Sequence, residues 1–137
     1  MKKHILNIVL LMVLTLSATN ITRAQETQST SADESSKIYL YRPKSPVGMA
    51  VVYSVFINED HIGIAKNGFT KVYEITEPGE IEIWGETEKK MSLKLDVEPG
   101  NEYYVKCGVK MGTLTGRPKF TVESSAKGKK TYNKLQK

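Results

Sequence analysis

The chain has 137 residues, 39% hydrophobic and 26% charged, with a formal net charge of +5. That length allows one ordinary domain and excludes two independent cores, and the balance excludes a disordered chain. A single thiol, Cys107, excludes an internal disulfide, so packing must supply the stability.

The first 24 residues read as a secretory signal peptide. Lys2 and Lys3 open it, residues 5–16 are apolar apart from Asn7 and Thr15, and Thr22-Arg23-Ala24 offers a peptidase its small residues. A helix of that apolar length rises roughly 18 Å, short of a bilayer core of roughly 30 Å. The expected mature chain starts at Gln25, is periplasmic or secreted, and keeps no transmembrane segment. No cysteine lies near the cut, so a lipoprotein anchor is not expected. Removing Lys2, Lys3 and Arg23 leaves a nearly balanced chain, and residues 25–123 hold twelve basic against fifteen acidic residues. No nucleic-acid footprint is expected from such a body.

Residues 25–36 (QETQSTSADESS) form an expected flexible polar leader. From Lys37 short β-rich runs alternate with turn signals, which predicts an all-β antiparallel sandwich of about eight strands over residues 37–123. Residues 38–41 stop at Arg42-Pro43. Residues 50–57 (AVVYSVFI) suit a central strand, and Asn58-Glu59-Asp60 turns them into residues 61–65 as a hairpin. Asn67-Gly68 leads into residues 69–75. Glu77-Pro78-Gly79 and Glu98-Pro99-Gly100 place Pro and Gly where a type II turn wants them.

Period-two alternation is clear in the later strands. Ile81 and Ile83 face one side, with Glu80, Glu82, Trp84 and Glu86 on the other. Met91, Leu93, Leu95 and Val97 face inward. In the next strand Tyr103, Val105, Cys107, Val109 and Met111 share the dry face, and Tyr104, Lys106, Gly108 and Lys110 the wet one. Residues 120–122 form a last short strand. Residues 124–137 are a basic C-terminal segment, predicted to be a tail or one or two helical turns, with Tyr132 and Leu135 three apart.

IYLYRPKS (38–45), VFINEDHIGIA (55–65), VYEITEPGEIEIW (72–84) and SLKLDVEPGNEYYVKCGV (92–109) resemble the bacterial domain-of-unknown-function family 2846. The shared features are an opening strand ending in Arg-Pro, a short hairpin, a Pro-Gly turn and a Gly-x-x-Tyr-Tyr strand, here Gly100 to Tyr104. A weaker likeness is to PEGA-type surface domains. The resemblance implies a prealbumin- or immunoglobulin-like sandwich in exported proteins, and carries over no catalytic residue or cofactor.

No catalytic, cofactor or metal site is expected from the residues. After cleavage His61 is the only histidine, and it sits at a hairpin while Cys107 lies on an apolar strand face. Glu80, Glu82 and Glu86 are close enough in spacing to pose a small carboxylate-dependent hydrolase as the rival reading, and a solvated strand face as the plainer one. Trp84, with Tyr104, Tyr39 and Tyr41 if their strands pair nearby, is the candidate binding surface for a protein or envelope component. The alternative is a Trp84 covered by a neighbouring segment or packed on Lys94. Lys127, Lys129, Lys130, Lys134 and Lys137 pose a weak contact with anionic membrane surfaces, against a tail that merely keeps the domain soluble.

Overall fold

The computed structural model describes residues 35–137. Eight strands follow in order: β1 (Ser36–Tyr41), β2 (Tyr53–Ile57), β3 (Asp60–Ala65), β4 (Thr70–Ile75), β5 (Gly79–Glu86), β6 (Lys90–Val97), β7 (Glu102–Met111) and β8 (Gly116–Glu123). A helix, α1 (Ser125–Leu135), ends the chain. The strands make two four-stranded sheets, ordered β4-β1-β7-β8 and β3-β2-β5-β6. The expected sandwich is therefore present, with one refinement. β1 and β7 pair in parallel, so the first sheet is mixed.

Alternation decides what lies between the sheets. Ile38, Leu40, Val105 and Cys107 from the first sheet meet Tyr53, Val55, Ile57, Ile81 and Ile83 from the second in one core. Burial pushes the Cys107 thiol up to about 12, so it behaves as a small apolar side chain. The Tyr53 hydroxyl crosses the core and donates to the Gly108 carbonyl at 2.7 Å.

Several boundaries differ from the sequence expectation, each for a physical reason. Ser36, assigned to the leader, is buried in β1, because its hydroxyl donates to the Glu98 carbonyl at 2.6 Å. β2 starts at Tyr53 instead of Ala50. The Val51 N–H turns back to Gly48 O and the Val51 carbonyl is taken by Arg42, which removes that residue from the ladder. Met111, expected inside, is exposed at the far end of β7. Tyr104, expected on the wet face, is only 2% exposed because α1 lies on it.

The Arg-Pro stop at the end of β1 proves to be a cross-sheet anchor. Arg42 is 3% exposed. Its Nη1 donates to Ala65 O at 2.6 Å and Val51 O at 2.7 Å, and its Nη2 to Gly48 O at 2.6 Å. Pro43 has no N–H to continue the ladder, so the strand ends there. One guanidinium thus ties β1 to the β1–β2 connection and to β3 of the opposite sheet. Replacing Arg42 with Leu should cost about 3 kcal/mol or more in urea unfolding, because three carbonyls lose their donor. Lys at this position should recover little of it, because an ammonium lacks the planar fork. An unchanged midpoint would refute the anchor.

α1 is longer than the expected turn or two. Its inward residues are Gly128 and Tyr132, four apart, with Leu135 packed beside them. Gly128 permits the close approach, because a Cβ there would lie 2.2 Å from the Tyr104 Cβ. Ala at 128 should therefore destabilise the fold by roughly 1–3 kcal/mol, although helix propensity alone predicts a gain of about 1 kcal/mol. Urea unfolding with near-ultraviolet circular dichroism measures both the sign and the tyrosine environment, and a more stable variant would show that α1 is not seated on Tyr104.

Candidate functional site

The tyrosines expected to join Trp84 lie on the other sheet. Tyr39 and Tyr104 are opposite one another in the parallel β1–β7 register, and their rings stack at 4.7 Å. Tyr132 of α1 meets Tyr39 edge-on at 5.2 Å and Tyr41 at 6.4 Å. Tyr41 and Tyr104 are buried under the helix, and burial foremost pushes both phenols up to about 12. Tyr39 stays half-buried and donates to a Glu102 carboxylate oxygen at 3.0 Å. These three side chains are thus the seat of α1, and the expectation of one open aromatic face shared with Trp84 is corrected. The sequence could not place them, since only the β1–β7 pairing brings Tyr39 beside Tyr104.

Trp84 lies on the outer face of β5, where antiparallel pairing sets it opposite Phe56 of β2, itself opposite His61 of β3. The Trp84 and Phe56 rings stack with centroids 4.1 Å apart and planes 10° from parallel. His61 continues the row, 5.1 Å from Phe56. The Trp84 indole N–H donates to Asn58 O at 2.8 Å, and the Lys90 ammonium sits 4.5 Å over its ring. The covering lysine is therefore Lys90; Lys94 instead pairs with Glu80 at 2.8 Å. Phe56 and His61 were missed as site residues because β2 and β3 showed no relation to Trp84 until the strand order was known.

Two carboxylates of that face, Glu80 and Glu82, are engaged. Lys90 pairs with Glu82 at 3.3 Å. The Glu82 carboxyl is held below its usual range, first by a hydrogen bond from Ser92 and then by Lys90. Lys94 is raised by its bond to Glu80. Cys107 lies in the core and His61 on an exposed outer face, so they do not form a pair. Among the described residues no group of three or more His, Cys, Asp or Glu side chains is arranged to hold a metal ion.

The C-terminal lysines also differ from expectation. Lys127 is not unbalanced, for it pairs with Glu123 at 2.7 Å. Lys130 and Lys134, on the same helix, line a groove of about 450 Å³ with Pro43, Lys44 and Leu135. A neighbouring groove of about 390 Å³ also includes Pro43, and Lys106, Lys119 and Val47 line it. Among the described residues no helix is long and apolar enough to cross a membrane.

A family model described as "Protein of unknown function (DUF2846)" matches residues 32–123, ending where β8 ends and leaving α1 outside. No curated protein matches the chain. The matched stretch contains the Arg42 anchor, the Phe56–Trp84 row and the Tyr103-Tyr104 strand. By that match over most of its length, the chain belongs to the DUF2846 family, whose function is unknown.

Proposed function

We propose that the protein is an exported, non-enzymatic β-sandwich that binds a protein or envelope component through the outer face of the β3-β2-β5-β6 sheet. The observation that carries this reading is the Phe56–Trp84 stack, continued by His61 and rimmed by ion pairs. A flat aromatic centre with a charged rim is the anatomy of a contact surface, since stiff rings bring area at small entropic cost. The carboxylate-dependent hydrolase is the weaker reading. A general acid needs a raised pKa, whereas the bond from Ser92 and the charge of Lys90 lower that of Glu82.

Export rests on the N-terminal pattern, which lies outside the described residues. Intact-mass analysis of the protein recovered from cells should find a chain starting at Gln25; a retained Met1 would overturn it.

Trp84 is the only tryptophan, so its fluorescence reports directly on the proposed face. Titration with fractionated envelope extract should shift or quench that emission, and Phe56→Ala should abolish the response without unfolding the domain. Full binding by Phe56→Ala, or hydrolase activity lost on Glu82→Gln, would overturn the reading. A second reading is a weak anionic-surface contact by the C-terminal lysines. The placement of Lys130 and Lys134 beside Lys44 favours it.

A further inference from the structure

The strand directions sort the connections into two ends. The β1–β2, β3–β4, β5–β6 and β7–β8 connections share one end, and the other three share the opposite end. At the first end the connections touch. Asn67 accepts from Ser45 N–H, Glu88 accepts from the N–H groups of Thr113 and Leu114, and Thr87 donates to Gly116 O.

Charge is divided between these ends. The opposite end carries Glu59, Glu77 and Glu98 in its connections, with Asp60, Glu80 and Glu102 at adjoining strand ends. Its lysines lie beside acids: Lys37 is in register with Glu74 and Glu102, and Lys94 pairs with Glu80. At the first end stand Lys44, Lys66, Lys106 and Lys119, joined by Lys130 and Lys134 of the helix. Among the described residues none of these six makes an ion pair. Of its two acids, Glu86 ends β5 in register with Lys90, and Glu88 is committed to Arg117 at 2.8 Å, a bond that foremost lowers its pKa.

The same end holds five of the eight large hydrophobic side chains exposed among the described residues. They are Val47, Met49 and Val52 in the β1–β2 connection, and Met111 and Leu114 at the β7–β8 hairpin. Leu114 is 91% exposed and Val47 71%. Both stand on braced loops. Glu88 holds the backbone at Leu114, and Arg42 holds the carbonyl of Gly48 next to Val47.

We infer that this end docks on an anionic lipid surface, with Val47 and Leu114 entering the headgroup layer and the lysines lying against the phosphates. The inference extends the reading of the helix lysines and moves the centre of contact to the loops. Charge complementarity selects the occupant: unpaired cations around protruding aliphatic tips match a broad anionic sheet with an apolar layer beneath. The acidic opposite end is repelled by such a surface, so the separation of charge also orients the molecule.

Vesicle co-sedimentation tests it, using protein expressed from the full chain and recovered as the cell leaves it. Vesicles are equimolar phosphatidylglycerol and phosphatidylcholine, or phosphatidylcholine alone. The protein should prefer the anionic vesicles and release as salt shortens the Debye length. A lysine near such a surface contributes about five-fold in partition, so Lys44→Ala with Lys119→Ala should weaken binding about twenty-five-fold. Val47→Asp with Leu114→Asp should abolish it, and Trp84→Ala should leave it unchanged. These tip residues are solvent-exposed, and unaltered Trp84 emission verifies folding. Equal binding to both vesicles, or none, overturns the proposal. Normal binding by the tip variant with loss only in Lys130→Ala with Lys134→Ala overturns the loop contact and leaves the helix reading standing. Binding to polyglutamate without binding to vesicles assigns the end to acidic protein and overturns the lipid.

Discussion

Arg42 is the constraint on which the arrangement of the two sheets depends. A guanidinium removed from water is costly, and it is stable here only because three backbone carbonyls, two from the β1–β2 connection and one from β3, converge on it. No carboxylate takes part in those bonds, so moving either the β1–β2 connection or β3 would leave a buried charge short of a partner. Arg42 therefore fixes where the chain leaves the first sheet, how the β1–β2 connection folds back, and where β3 lies. Every buried side-chain nitrogen and oxygen among the described residues has a partner, consistent with a fold whose polar requirements are met internally.

From that anchor the two outer faces take different fates. The β1–β7 pairing gathers Tyr39, Tyr41 and Tyr104, and α1 covers them with Tyr132, a packing that the lack of a Cβ at Gly128 makes room for. The outer face of the other sheet keeps its aromatic row of His61, Phe56 and Trp84 with only Lys90 over the indole. Aromatic side chains thus serve as cement on one sheet and as a platform on the other. The difference arises from where the helix lands.

The connections add a third surface. Their placement follows from strand direction, which sends Lys44, Lys66 and the aliphatic tips to one end and Glu59, Glu77 and Glu98 to the other. A net charge summed along the chain hides such a division, because it carries no information about distance between charges. The nearly neutral body thus separates into a basic, apolar end and an acidic one.

Much of the fold was legible in the sequence because it rests on local rules. Period-two alternation in β5 and β6 named the inward residues, and Pro99-Gly100 named its turn, where Gly100 has the required φ of 72°; Gly79, expected in a like turn, instead opens β5 with a φ of 132°. The IYLYRP and Gly-x-x-Tyr-Tyr patterns pointed to the family. Of the candidate site, Trp84 and its outward direction could be read, because side-chain direction follows from the strand period. The parallel β1–β7 pairing, the burial of Tyr41 and Tyr104, the Phe56 partner and the role of Arg42 could not be read. Each depends on segments tens of residues apart, and neither strand order nor the landing place of a helix is written in local alternation. Only tertiary packing could decide them, by bringing distant backbones to the few positions where every buried polar group is paired and every buried ring is covered.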